Sequence, residues 1–340
     1  MSGFSSSVTP IWPSEQLCLT AQEREQALDA VNAAFASTLE SLKVDIGLND
    51  MFRNLYVPLG AWVAQRARQQ TGPLVLGING AQGAGKSTMF NLLEIILNEG
   101  FGLKVVGFSL DDIYKTRAQR IELSQKVHPL LQTRGVPGTH DVELGLEVLH
   151  SLVASDDTTV TKIPVFDKSI DDRCPPEVWQ EWVGPADVIV FEGWCVGALA
   201  QSEEVLQAPI NALERDEDSS GEWRRYVNDQ LKNEYKALFE MVDVLLMLKV
   251  PSMDSVFEWR SLQEKKLAER VKYFSDTQQP TEHLRIMNAQ EINHFIEHYE
   301  RLTSAMLDEM PNRADVTLHL NANHKIYKID INQPMAQTKP

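Results

Sequence analysis

Directly after the apolar run at 74–78, the chain reads GINGAQGAGKST, Gly77–Thr88. So much bare backbone beside a single lysine suits neither a helix nor a strand. The spacing Gly80-x-x-x-x-Gly85-Lys86-Ser87 is that of a loop wrapping its N–H groups around phosphate oxygens, and Met89, Leu92, Leu93 and Ile96 then recur at helical intervals. Strand, loop and helix thus follow in the order such a loop requires. Its glycines allow positive φ and a close approach that a Cβ would block, and the helix N-terminus adds partial positive charge. Gly80, Ala81, Gln82, Gly83, Ala84, Gly85, Lys86, Ser87 and Thr88 are the expected nucleotide-binding residues. Lys86 would reach the β- and γ-phosphates, and the Ser87 hydroxyl would complete a Mg2+ shell. The expected ligand is a nucleoside triphosphate.

The rest of the chain fits a sheet around that loop. Short apolar runs recur at 104–109 (KVVGFS), 160–166 (VTKIPVF), 187–192 (DVIVFE), 243–250 (DVLLMLKV) and 316–320 (VTLHL), with helical patterns between them. This is the signature of an α/β fold with a mainly parallel central sheet flanked by helices. Before it, Thr20 and Glu23 have capping-box spacing, and Leu28, Val31, Phe35, Leu39 and Leu42 predict a helix over about 20–43. A second helix is expected from Pro58 toward Gln70, with Leu59, Trp62 and Val63 on its apolar face, and Gly72-Pro73 ends it. Residues 1–73 therefore read as an N-terminal helical extension and 74–340 as the domain that holds the phosphate loop.

Charge and composition exclude several classes. A formal net charge of -16 argues against a general nucleic-acid surface, so an anionic ligand must be held by a local basic cluster. No apolar run approaches the roughly 18 residues of a membrane span. The N-terminus lacks the basic-then-apolar pattern of a secretory signal, which makes the cytoplasm the expected address. Cys18, Cys174 and Cys195 are too scattered for a disulfide framework or a zinc site. The acidic stretch ERDEDSSGE, Glu214–Glu222, reads as an exposed loop.

Two strand ends carry acidic residues where open α/β sheets place their ligands. In GFSLDDIY, Asp111 and Asp112 follow the strand at 104–109. A carboxylate there can accept a hydrogen bond from an alcohol and aim its oxygen at the γ-phosphorus; its role is orientation and late proton acceptance, since Asp is too weak a base to ionise an alcohol beforehand. One of the pair can instead cap the next segment. Asp111 is favoured for chemistry and Asp112 for support. Glu192, ending the strand at 187–192, is the second expected Mg2+-organising group, acting through water.

The segments GAQGAGKST, FSLDDIY, TRGVPGTHD, PVFDKS, VIVFEGW and WRSLQE occur in the order found in the D-glycerate 3-kinase family. The chain resembles that family over about 74–320, within the wider P-loop group of phosphoribulokinase, uridine kinase and pantothenate kinase. The resemblance implies a P-loop NTPase fold with a helical lid, ATP and Mg2+ as cofactors, and phosphorylation of D-glycerate to 3-phosphoglycerate. It also implies the catalytic-base role for Asp111, a substrate-side place for Asp112 and Tyr114, and acceptance of a substrate hydroxyl by Asp167.

The residues themselves agree. A dihydroxy acid presents one carboxylate, and a planar guanidinium is its best partner through two parallel hydrogen bonds. Arg134, in a Pro/Gly loop entering a helix at Asp141, is the first candidate, with Arg173 and Lys168 next. His140 in that loop is either a ligand or a loop histidine. The helix after Pro251 repeats Val256, Trp259, Val271 and Phe274, and its other face bears Arg260, Lys265, Lys266, Arg270 and Lys272. A lid is expected at about 251–310, with Arg260 first and Arg270 second to neutralise the transferring phosphoryl group. Lys265 and Lys266 read as a solvated face. Asn288–Glu291 would cap the next helix, and NANHK, Asn321–Lys325, is an adenine-side candidate. Oligomeric state is open. The alternatives are a kinase of another small hydroxyl compound, such as a nucleoside or pantothenate, and a slow nucleotide-binding regulator.

Overall fold

The computed structural model describes residues 12–42, 48–276 and 287–332, with the side chains of 33, 35–42, 48, 49 and 266–276 outside that description. The strands are β1 Leu74–Gly80, β2 Val105–Ser109, β3 Val160–Ile163, β4 Phe166–Asp167, β5 Asp172–Arg173, β6 Gln180–Val183, β7 Val188–Gly193, β8 Val244–Lys249, β9 Val316–Leu320 and β10 Ile326–Ile331. The helices are α1 Ala21–Leu42, α2 Leu48–Met51, α3 Val57–Gln69, α4 Lys86–Ile95, α5 Arg117–Lys126, α6 Val142–Val153, α7 Glu203–Leu206, α8 Ala212–Asp216, α9 Glu222–Lys232, α10 Glu234–Glu240, α11 Met253–Asp276 and α12 Ala289–Glu309.

Six strands form the central sheet in the order β10-β9-β8-β1-β7-β2. All pairings within it are parallel except the edge pair β9–β10. Side chains alternate across each strand, so the sheet has two buried faces. Leu74, Leu76 and Ile78 point with Val188 and Val190 into one core, which also takes Leu59, Trp62 and Val63 of α3, Met89 and Leu93 of α4, and Trp259 of α11. Val75, Ile189 and Phe191 point into the other, beside Leu149 and Leu152 of α6 and Tyr299 and Met306 of α12. No helix among the described residues is long and apolar enough to cross a membrane.

Several sequence expectations need correction. The run VTKIPVF is not a strand of the central sheet: β3 pairs antiparallel with β6, and β4 pairs with β5. Its residues alternate between exposed and buried, with Val160 half exposed, and Pro164 has no N–H to carry the ladder onward. A further strand, β10, follows VTLHL, and NANHK is the turn from β9 into it. Helical structure before Pro58 begins earlier, at Leu48, and passes through a π-helical turn at Phe52–Tyr56. Because Pro58 cannot donate to the carbonyl four residues back, the Asn54 carbonyl is released, and the Trp12 N–H takes it at 2.8 Å.

The acidic stretch is likewise not a solvated loop throughout. Glu214 and Asp218 are fully buried. Arg301 of α12 donates to both Glu214 oxygens at 2.6 Å. Asp218 accepts from the Trp223 and Arg224 amides at 2.8 and 3.2 Å and pairs with the Arg224 guanidinium at 2.9 Å.

Candidate active site

The register of three strands assembles the site. β7 lies between β1 and β2, and Glu192 pairs with Ile78 on one side and Ser109 on the other. The phosphate loop, Glu192 and Asp111 therefore leave the sheet at one edge, at adjacent C-terminal strand ends. Gly83 and Gly85 have φ of 80° and 92°, and Gly85 stands as the N-cap of α4. A Cβ on Gly83 would come within 3.2 Å of Trp259 Cβ, so α11 packs directly on the loop. Lys86 Nζ donates back to the Ala81 carbonyl at 3.4 Å. Burial lowers the Lys86 pKa, while Glu192 and Asp111 oppose that shift. Ser87 Oγ donates to Glu192 Oε1 at 2.9 Å, and the buried Glu192 Oε2 has no partner among the described residues. A hydroxyl and a carboxylate oxygen with a free lone pair, beside a phosphate loop, are donor types suited to Mg2+, which takes its remaining ligands from phosphate and water.

The two aspartates divide their work. Ser109 and Asp112 form a reciprocal cap: the Asp111 N–H donates to Ser109 Oγ at 3.1 Å, and Asp112 Oδ2 accepts from the Ser109 N–H at 2.9 Å. Burial, with the charge of Asp111 beside it, raises the Asp112 pKa to about 6. Asp111 is left for the site, where Lys168 Nζ donates to its Oδ2 at 2.6 Å and the Tyr114 phenol lies close enough to feel its charge. Burial works against the Asp111 charge, but Lys168 and Lys86 together hold its carboxyl below the usual range. For Tyr114, burial and Asp111 push the phenol pKa well above its ordinary value.

The loop at 133–141 joins this cluster through backbone pairing. The Lys115 N–H donates to the Thr139 carbonyl at 2.9 Å and the Asp141 N–H to the Ile113 carbonyl at 2.7 Å. That pairing stacks His140 on Tyr114, with ring centroids 4.4 Å apart. His140 Nδ1 lies 2.6 Å from the Tyr235 hydroxyl, which already accepts the Gly138 N–H at 2.9 Å. With the phenolic proton assigned to Nδ1, the Tyr235 hydroxyl both donates and accepts, and Nε2 carries the ring proton. Burial lowers the His140 pKa to about 3. Nε2–H is thus a neutral donor, buried and without a partner among the described residues.

Arg134 is paired with Asp171, which also takes buried Arg120 at 3.1 Å. Asp171 holds a left-handed φ of 56°, and its carbonyl accepts from Arg120 at 2.6 Å. A substrate carboxylate at Arg134 must displace or share that internal one. Arg173 is turned to Asp141 at 2.8 Å. Asp167 is turned to its own loop, accepting from the Ser169 N–H and Oγ at 2.8 and 2.6 Å. Arg260 pairs with Glu264 and lies over the Phe295 ring at 5.2 Å. It is close enough to Tyr299, along with Arg134 and Asp111, to act on that phenol electrostatically. The side chains of Lys266, Arg270, Lys272, Val271 and Phe274 lie outside the described residues. At the β9–β10 turn, His324 stacks on Trp259 at 3.8 Å.

The structure thus brings together Lys86, Ser87, Asp111, Tyr114, His140, Lys168 and Glu192, with Arg134 beside them. Asp171 and Tyr235 were not singled out from the sequence. An Asp in a short polar hairpin and a Tyr on an amphipathic helix carry no local signal of an arginine or histidine partner far along the chain.

No family model matches the chain. An uncharacterized kinase of Schizosaccharomyces pombe, mug58, is 32% identical over 73% of this chain and 86% of its own length. The chloroplastic D-glycerate 3-kinase of Arabidopsis thaliana is 29% identical over 65% of this chain, which spans 50% of that protein. The solved structure of D-glycerate 3-kinase from Cryptococcus neoformans superposes with a TM-score of 0.64 at 24% identity, over 81% of this chain and 97% of that one. With the phosphate loop, its acidic strand ends and these relatives in view, the chain is an ATP-dependent small-molecule kinase with a P-loop fold and belongs to the same kinase family as mug58.

Proposed function

We propose that the chain transfers the γ-phosphoryl group of ATP to a hydroxyl of D-glycerate, giving 3-phosphoglycerate. One observation carries this reading: the Asp111 carboxylate, at a strand end separated from that of the phosphate loop only by β7, is held by Lys168 at 2.6 Å and lies within electrostatic reach of Lys86, while Arg134 acts on the neighbouring Tyr114. A base, a phosphate-binding cation and a carboxylate-binding cation are the three groups that a hydroxy-acid kinase needs. Motif order and the names of the relatives point to the same acceptor.

In this reading Arg134 exchanges Asp171 for the substrate carboxylate, and the Nε2–H of His140 donates to a substrate oxygen. Lys168, Arg173, Asp167, Asp112 and Tyr114 line or support the acceptor side. Asp111 orients the attacking hydroxyl and takes its proton as the new P–O bond forms and the bond to ADP breaks. Lys86 follows the charge onto the leaving phosphate, and Arg260, on a lid formed by α11 and α12, neutralises the transferring group. Ser87, and Glu192 through water, would hold Mg2+, which supplies charge neutralisation across the β- and γ-phosphates when bound.

Arg134→Gln tests the acceptor. Losing the charged bidentate pair should cost about 2–4 kcal/mol of acid binding, seen as a raised KM for D-glycerate with the KM for ATP unchanged. Glycerol, which has no carboxylate, should be a poor acceptor and lose little further. Equal losses for both acceptors would make Arg134 structural and move the carboxylate site toward Lys168 and Arg173.

A further inference from the structure

Two of the six segments that carry the family resemblance, TRGVPGTHD and VIVFEGW, meet at one buried side chain that the mechanism above does not use. Trp194, the last residue of FEGW, is 3% exposed. Its indole N–H donates to the carbonyl of Gly135 at 2.9 Å, in the loop that carries Arg134. Its ring packs edge-on against Tyr299, centroids 4.8 Å apart, and the Tyr299 hydroxyl donates to the carbonyl of Arg134 at 3.3 Å. Two aromatic donors therefore hold the two consecutive carbonyls on either side of the Gly135 Cα. A Cβ on Gly135, whose φ is 147°, would strike the Tyr299 hydroxyl, so this approach requires glycine.

The other end of the connection is equally fixed. Asn79 is 1% exposed and directly precedes Gly80 of the phosphate loop. Its carboxamide donates to the carbonyls of Trp194 at 3.1 Å and Val196 at 2.9 Å, which ties the turn after β7 to β1. The path from the phosphate loop to the acceptor arginine thus runs through Asn79, the Trp194 backbone, the Trp194 indole and the Gly135 carbonyl. Every polar atom on it is buried, and a buried carbonyl that loses its donor is costly to leave unpaired.

We propose that Trp194 is a positioning residue that sets the distance between Arg134 and the γ-phosphate, so that the acid is held in register for transfer. It touches neither substrate. This inference rests on the reading of Arg134 as the carboxylate clamp. In-line transfer tolerates little misplacement, and an error of about 1 Å can cost roughly 100-fold in rate.

The test is Trp194→Phe, which keeps an aromatic ring but removes the donor and part of the indole's volume, with Tyr299→Phe as a second variant that removes a donor and leaves the indole in place. Trp194→Phe should lower kcat/KM for D-glycerate by roughly 10- to 100-fold with the KM for ATP unchanged. On an Arg134→Gln background it should cost less than about 3-fold, since it acts through that arginine. Tyr299→Phe should show the same acid-selective pattern at smaller size. Hydrogen exchange gives a readout independent of the substrate: amides of 134–139 should exchange faster in Trp194→Phe while those of 80–87 do not. Losses shared by ATP and acid, or losses that multiply in the double variant, would reduce Trp194 to a packing residue and overturn the proposal. Unchanged exchange at 134–139 would also overturn it. Faster exchange with unchanged acid kinetics would instead defeat the clamp reading of Arg134.

Discussion

Lys86 and Asp111 bring opposite charges to one pocket, and each holds the other in its charged form against burial. Removing either should leave the fold intact, because both are partly exposed at the rim rather than in a core. Lys86→Ala should cut turnover by orders of magnitude. Asp111→Asn should lower kcat by roughly 10²–10⁴ with ATP affinity nearly unchanged, whereas Asp112→Asn should cost far less, because it serves the cap. Steady-state kinetics on the three folded variants checks this, and a reversal between the two aspartates would reassign the base. Asp112 also predicts a pH dependence. Its carboxyl, raised to about 6, keeps its proton in the folded chain where the unfolded chain has already lost it at about pH 4. Its ionisation therefore subtracts stability as pH rises through that window. Asp112→Asn still offers an oxygen to the Ser109 N–H. It should gain stability relative to wild type between about pH 4 and 6, with a constant difference above, measured by urea unfolding. A difference independent of pH would mean that the carboxyl titrates normally.

At the level of elements, the buried carboxylates of α8 and its flank make the sharpest contrast with the sequence. Glu214→Ala should destabilise by about 3–5 kcal/mol, since it strands the Arg301 guanidinium in a buried site. Asp216→Ala, which breaks an exposed pair with Arg215, should cost less than about 1 kcal/mol. Denaturant midpoints decide; equal, small effects would return the segment to a solvated loop. Glu214 and Arg301 are 87 positions apart, so nothing local in ERDEDSSGE marks Glu214 as buried. The same reason hid the hairpin at 160–183. VTKI alternates as a half-buried strand does, but only the pairing with Gln180–Val183 shows that its partner is another short edge strand and not β2. By contrast, the phosphate loop, the aspartates after β2 and Glu192 were legible, because strand, turn and helix are adjacent in sequence and each turn uses residues of distinctive geometry. The caps at Thr20, Asp141 and Asn288 were legible for the same reason.

Across the whole molecule, a net charge of -16 surrounds a site built from Lys86, Arg134, Lys168 and Arg260. Three of these cations are held by internal carboxylates, Lys168 by Asp111, Arg134 by Asp171 and Arg260 by Glu264. An anionic acceptor therefore meets positive charge only where the loops already organise it, which favours a small acid over an extended polyanion. The sheet order puts three strand ends side by side, and the Trp194 connection spans from the first of them to the acceptor loop. What this arrangement should do is tested most directly by acceptor-dependent ADP release from the full chain with Mg2+ and ATP, with D-glycerate, pantothenate and uridine compared at equal concentrations and the product identified by phosphorus NMR. The account predicts that D-glycerate has the highest kcat/KM and that its product is 3-phosphoglycerate. Faster release with pantothenate or uridine, or release that ignores every acceptor, would contradict it.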